Sequence, residues 1–473
     1  MTDNGTNNGT FSGDQSRRAF MKRASALSIA GTATPFVMSL AAIGEAAAAT
    51  ATDYKALVCV FLYGGNDYAN TLVPYDNTQF AVYNAQRPTL GYSQASLAGT
   101  VLNPTTALPN GAQYALAPEL GKLLPVFNAG KMAVMLNVGT LVQPITKAQY
   151  QANSVPLPPK LLSHNDQQSY WQASSPEGAA SGWGGRIGDL LQAGNATSTL
   201  TCINSSGNAV FLTGKQAVQY SVTTAGPIPL NARVSLQGST AASTLLQSLI
   251  SGGGPHQFEA VLGQVGTRAL NLYSQVSTAL ASAQVTTTLF PVSADPQSSL
   301  GAQLQVVAKL ISVSQQLGAK RQVFFVSTGR FDTHDGLATL HPILMTNLAD
   351  ALRAFYDTTV ELGVSQQVTT FTGSDFGRAL TANNDGTDHG WGSMHFVIGG
   401  AVNGGRYYGL NPVLANGGPN DIGQGRLIPT MGVDQYAATL ASWFGVGASD
   451  LSTVLPNIGN YAGSALGTNL GFV

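Results

Sequence analysis

The chain has 473 residues, 44% hydrophobic and only 10% charged, with 22 Lys+Arg against 23 Asp+Glu for a formal net charge of −1. That length supports a large core, and the normal apolar fraction excludes a disordered chain. Near-neutral charge without a basic stripe excludes nucleic acid as a partner.

The first signal lies at the N-terminus. Ser16-Arg17-Arg18-Ala19-Phe20-Met21-Lys22 has the form of a twin-arginine signature, followed by an uncharged stretch from Ala24 to Gly44 and small residues at Ala46–Ala49. Residues 1–49 are therefore expected to be a signal peptide read by the twin-arginine translocase, giving a periplasmic or secreted bacterial protein. The stretch is long enough to span a bilayer. Its Gly, Ser, Thr and Pro35 leave it mildly apolar, which suits an exported precursor better than a stable membrane anchor. A retained anchor is the alternative. Without the leader, 18 basic and 20 acidic residues remain, a net of −2.

Ala56–Tyr63 is a continuous apolar run closed by Gly64-Gly65, the pattern of a central parallel strand covered on both faces. A polar, Pro- and Gly-punctuated region follows to about residue 113. Leu116–Asn128 has helical spacing, Gly130 ends it, and Met132–Val138 reads as a second buried strand. Ser163-His164-Asn165-Asp166 opens a helix through Trp171, with Ser and Asp in a capping-box pattern. Residues 205–300 are rich in Ser, Thr, Gln, Ala and Gly, with helical stretches at 241–250 and 258–281. They are expected to form a helical insertion or cap.

The strand–helix alternation resumes with a strand at 322–327, a helix at 337–362, strands at 367–372 and 395–398, and a closing helix at 434–444. The predicted fold is a three-layer α/β/α sandwich with a mostly parallel central sheet, formed by residues 50–473 as one α/β domain. Cys59, inside the first strand, is most simply a buried thiol. A Cys59–Cys202 disulfide is permitted by an oxidising compartment.

Half of the six His, with several carboxylates, fall in short stretches: Phe331-Asp332-Thr333-His334, Ser374-Asp375-Phe376-Gly377-Arg378, and Gly386-Thr387-Asp388-His389-Gly390-Trp391-Gly392 with His395 just beyond. Asp67, in Gly64-Gly65-Asn66-Asp67, lies far upstream. Asp67, Asp332 and Asp375 each follow a predicted strand, the edge where parallel sheets bind ligands. Carboxylate oxygen and imidazole nitrogen suit one or two divalent ions, with Zn, Mn, Ca and Mg all compatible. Candidate ligands are Asp67, Asp332, His334, Asp375, Asp388, His389 and His395. A two-ion site would clamp the attacking and leaving oxygens of an anionic ester substrate.

Each candidate also has a plainer reading. Asp67 alone would serve as a helix cap or turn residue, and His395 as a packing partner in its strand. His341 is expected to be structural, His256 solvated, and His164 to stand behind the ligands. Arg378 is either the ion-pair partner of Asp375 or a contact for an anionic substrate oxygen. Ser163, at a helix N-terminus, is either a simple cap or the nucleophile. No Gly-x-Ser-x-Gly elbow is present.

In order, Phe61–Asp67, Leu162-Ser163-His164-Asn165-Asp166-Gln167-Gln168 and the three Asp/His stretches resemble the DUF1501 family of exported bacterial proteins. That family is grouped with the alkaline phosphatase-like superfamily of phosphatases and sulfatases. The resemblance implies an alkaline phosphatase-like fold and a metal-dependent hydrolase of phosphate or sulfate esters. By the same analogy Asp332, His334 and His389 would hold one ion, and Asp67, Asp375 and Ser163 another. Two departures stand out. Phe376 occupies the position of an expected imidazole, and Asp332 and His334 are separated by one residue where three is common. Either Asp388 or His395 completes the set, or a single ion binds. The alternative function is a non-catalytic exported metal-binding protein with a structural, assembly or surface-polymer-binding role.

Overall fold

A computed structural model describes residues 53–473 except 230–234, 254–255, 294 and 296–297. The expected signal peptide, residues 1–49, lies outside the described residues. Among the described residues, ten strands form one mixed sheet: β1 (Lys55–Leu62), β2 (Met132–Gly139), β3 (Cys202–Asn204), β4 (Gln219–Thr223), β5 (Gly226–Pro227), β6 (Arg321–Thr328), β7 (Val368–Ser374), β8 (Ser393–Gly399), β9 (Arg406–Tyr408) and β10 (Met431–Gly432). Their order is β9-β2-β8-β7-β1-β6-β3-β4-β5, with β10 also paired to β2. β1 is central and runs parallel to β6 and β7. β8 is antiparallel to both neighbours, β2 and β7.

Strand alternation explains the unbroken apolar run of β1. Ala56, Val58, Val60 and Leu62 face one core, while Leu57, Cys59 and Phe61 face the other. The main helices are α1 (Asn77–Gln86), α2 (His164–Ala173), α3 (Trp183–Leu191), α4 (Thr240–Ser251), α5 (Gln257–Ala281), α6 (Leu300–Ser312), α7 (Leu337–Glu361) and α8 (Val433–Phe444). The first core takes Leu304 of α6, Leu344 and Leu348 of α7, and the C-terminal half of α5. The second takes Trp171 of α2, Trp183 and Ile187 of α3, and Tyr436 and Leu440 of α8. The result is the expected three-layer α/β/α sandwich around a mostly parallel sheet.

Two local features differ from the sequence reading. Leu116–Asn128 is not one helix but a 3-10 segment, Pro118–Leu123, followed by a short α-helix, Leu124–Asn128. Pro125 lacks the N–H that a continuous helix would donate to Gly121 O. The 205–300 segment is more than helical, since β4 and β5 extend the sheet before α4 and α5 begin. Cys59 and Cys202 are free, buried thiols. No helix among the described residues is long and apolar enough to cross a membrane.

Candidate metal centre

The sheet delivers the site by topology. β1, β6 and β7 run parallel, so Gly64, Asp332 and Asp375 emerge at one edge. Because β8 is reversed, the antiparallel ribbon of 378–382 with 387–389, which precedes it, returns to that same edge and carries His389. The β1 edge approaches the Asp332 loop closely at Gly64, with φ +113; a Cβ there would lie 2.4 Å from Asp332 N. Only glycine fits that backbone.

α2 begins at His164, with Ser163 as N-cap. The capping box does not form. Ser163 Oγ instead donates to Asp166 Oδ2 at 2.9 Å, so the hydroxyl engages a carboxylate and not the helix backbone.

Three imidazoles converge on one carboxylate oxygen. Asp332 Oδ1 lies 3.4 Å from His164 Nε2, 3.2 Å from His334 Nε2 and 3.2 Å from His389 Nε2. It also accepts from Arg378 Nη1 at 2.9 Å. His334 Nε2 and His389 Nε2 stand 2.8 Å apart. Ligand atoms from His164, Asp332 and His389 all lie within 4.8 Å of one another.

A carboxylate oxygen has two lone pairs and cannot accept four hydrogen bonds. Moreover, two of the rings spend their N–H elsewhere. His389 Nδ1 donates to Leu162 O at 2.7 Å, and a carbonyl can only accept. His164 Nδ1 donates to Asp375 Oδ2 at 2.7 Å. In their neutral forms His164 and His389 would therefore present Nε2 lone pairs to Asp332. His164 Nε2 is buried with no hydrogen-bond partner.

Either a proton on Nε2 or a divalent cation between the groups would relieve such facing lone pairs. Separations of 3.2–3.4 Å from Asp332 to the imidazoles match the edge of about 3.3 Å expected for a tetrahedron of ligands at ~2.0–2.1 Å from a metal, whereas the 2.8 Å between His334 Nε2 and His389 Nε2 is shorter than that edge. The donor set of imidazole nitrogen and carboxylate oxygen fits a divalent cation, zinc-like in character.

Local charge acts differently on the three groups. The hydrogen bond and charge of Asp375 raise the pKa of His164 despite burial. Burial lowers that of His389 more than its bond to Leu162 O raises it. Burial would raise Asp332, but Arg378 and the nearby imidazoles hold its carboxyl below the usual range.

Supporting groups fix the rings. Asp375 Oδ2 also accepts from Gly64 N at 3.0 Å and Gln168 Nε2 at 2.8 Å. Phe376 lies against both imidazoles, with ring centroids 4.8 Å from His164 and 4.7 Å from His389. The side chain at the position of the expected imidazole is thus a wall for two others. Asp388 sits behind His334, its Oδ1 3.7 Å from His334 Nδ1 and 2.8 Å from Asn383 Nδ2.

The remaining candidates go elsewhere. Asp67 is fully buried and both its oxygens meet Arg87, Oδ1 receiving Nη2 at 2.7 Å. Burial would raise its pKa, but the charge and hydrogen bonds of Arg87 hold it low. His395 is buried between Trp171 and Tyr436, with Nδ1 3.2 Å from Thr372 Oγ1. Arg378 is committed to Asp332, Gly64 O and Thr387. The residue that sequence reasoning placed behind the ligands, His164, is the one that completes the convergent set. Its only sequence signal is its position immediately after a helix-start serine.

The family model described as "Protein of unknown function (DUF1501)" matches residues 54–441. No curated protein matches the chain. Several solved structures are similar at low identity. Ps i-CgsB in complex with k-i-k-neocarrahexaose is 8% identical, with TM-score 0.35, covering 86% of this chain and 77% of that one. The lipoteichoic acid synthase LtaP from Listeria monocytogenes is 9% identical, with TM-score 0.32, covering 88% and 79%. The PsFucS1 sulfatase from Pseudoalteromonas sp. is 12% identical, with TM-score 0.30, covering 90% and 74%. Likenesses this distant transfer no activity, substrate or ligand set.

Proposed function

This chain belongs to the DUF1501 family, and we propose that it is an exported metal-dependent hydrolase of anionic phosphate or sulfate esters. One observation carries the reading: the Nε2 atoms of His164, His334 and His389 crowd a single Asp332 oxygen, while the Nδ1 atoms of His164 and His389 are occupied by Asp375 and Leu162. His164, His389 and Asp332 would hold one divalent cation, with His334 as the fourth group. Such a cation, when bound, polarises an ester oxygen and stabilises developing negative charge.

The chain's own groups do the rest. Ser163 precedes the ligand His164 at the start of α2, where free backbone N–H groups favour an anion. Its hydroxyl proton faces Asp166 Oδ2, which would accept it as Oγ attacks the central atom of the ester; the alkoxide that departs takes a proton from solvent and leaves as the alcohol. Water then hydrolyses the covalent serine ester. Lys160 Nζ, 3.7 Å from Asp166 Oδ2 and largely exposed, supplies a cation beside the same helix start. Arg378 we assign to holding Asp332 rather than to substrate, because its guanidinium is already saturated by protein oxygens.

That saturation also favours a second reading, a non-catalytic exported protein whose metal serves structure, assembly or binding of a surface polymer. A panel of aryl phosphate monoesters, diesters and sulfates, assayed with metal-loaded protein, separates the two. The hydrolase reading expects turnover that Ser163→Ala abolishes while metal is retained, and that Asp332→Ala abolishes together with metal. Metal binding without turnover of any ester would support the second reading.

A further inference from the structure

The hairpin of α4 and α5 is built inside out. In the N-terminal half of α5 the buried positions are Gly263 and Gly266, and the one buried residue of α4 is Ser243. The glycines form a seam. A Cβ at Gly263 would lie 2.5 Å from Gly252 O, and one at Gly266 would lie 2.3 Å from Ile250 O.

With small residues inward, the large apolar side chains turn away from the seam. Leu245 and Leu249 follow an i, i+4 spacing on α4, and Phe258, Val261, Leu262 and Val265 follow i, i+3, i+4, i+7 on α5. Phe258 is 90% exposed and the other five are between 51% and 69% exposed. The C-terminal half of α5 behaves normally, with Leu272, Val276 and Ala279 buried in the first core. The same helix thus buries its apolar face against the body at one end and leaves it open at the other.

These six side chains present on the order of 700 Å² of apolar surface, more than the ~300–600 Å² of the largest patch on a typical monomer and close to the ~800 Å² per partner of a standard interface. Between residues 240 and 281 the only Asp, Glu, Lys or Arg residues are Glu259 and Arg268. A helix that lies on a membrane surface carries Lys and Arg along its polar face, and that feature is missing here. An almost uncharged apolar helical face of this size suits an isologous contact, in which one patch meets its own copy.

We propose that the α4–α5 hairpin is the docking surface for a second copy of this chain, the two hairpins packing their Leu/Phe/Val stripes together about a two-fold axis. The contact is independent of the metal centre.

Sedimentation velocity of the full-length protein across a wide concentration range tests this. The expected result is a reversible dimer, weakened at least ~30-fold by Phe258→Glu or Leu262→Glu, as for a buried anchor residue. Thermal melting of the dilute monomer should be unchanged by either substitution, because both side chains are exposed in the single chain. A wild-type protein that stays monomeric throughout would overturn the proposal, as would a dimer that survives both substitutions. Monomer that instead co-floats with phosphatidylglycerol vesicles, and loses that property in the two variants, would assign the face to a membrane and equally overturn it.

Discussion

His164 is held from both sides: its Nδ1 donates to Asp375 Oδ2 at 2.7 Å, and its Nε2, otherwise unpartnered, points at Asp332 Oδ1 from 3.4 Å. Asp375 therefore acts on the candidate centre through another residue, by fixing a tautomer. Asp375→Asn keeps the shape but removes the charge that secures the His164 N–H. The expected outcome is metal affinity reduced ~10–100-fold, as for other carboxylates behind a ligating imidazole, in a chain that still folds. Competition titration against a chromophoric chelator measures it; unchanged affinity would show that Asp375 serves packing alone.

Gly64 tests how closely the β1 edge must approach the Asp332 loop. Alanine there meets Asp332 N within 2.4 Å and must adopt φ +113, so a cost of about 1–3 kcal/mol is expected for the forced conformation alone. Gly64→Ala should lower the denaturation midpoint and weaken metal binding together. Loss of stability with intact metal affinity would mean that the loop moves without disturbing the ligands.

The Asp67–Arg87 pair should matter for stability and not for metal. Both side chains are fully buried, so Asp67→Ala leaves a guanidinium without its counter-charge. A loss of ~3–5 kcal/mol is expected from breaking a buried pair on one side. Urea denaturation reads the loss, and elemental analysis of the surviving folded fraction should show metal content as in the wild type.

Two buried histidines set an acid limb of the stability profile. Burial lowers the pKa of His341 to about 4, with Asp67 opposing and Arg87 and Arg378 reinforcing the shift. Burial alone lowers that of His395 to about 3. Both folded values lie below the ordinary value of 6.5, so below that pH the unfolded chain takes up protons that the folded chain refuses. Stability is fully present above pH 6.5 and falls as pH drops towards 4, by up to ~1.4 kcal/mol per pH unit for each group. His395→Phe, with its ring kept between Trp171 and Tyr436, should remove its share of that slope. An unchanged slope would contradict a neutral buried His395.

The central strands and the Asp/His loops at their ends were legible from sequence because buried parallel strands read as continuous apolar runs and their C-terminal edge is a defined place. The partner choices within the site were not. Arg87 lies 20 residues beyond Asp67 in a stretch that reads as polar loop, yet α1 places it against that carboxylate. Phe376 reads as a missing ligand, although its ring walls two imidazoles. His164 carries no spacing signature, since its ligand-like geometry arises only when α2 packs over β7. Long-range packing decides these contacts, and local pattern does not encode it.

Elemental analysis of full-length protein purified in folded form reads the metal centre itself. The wild type should carry close to one divalent ion per chain, lost from His164→Ala and from His389→Ala while circular dichroism shows both variants folded; that is the expected result. A wild-type protein that binds no zinc, manganese, calcium or magnesium would contradict it, as would variants that keep the full complement.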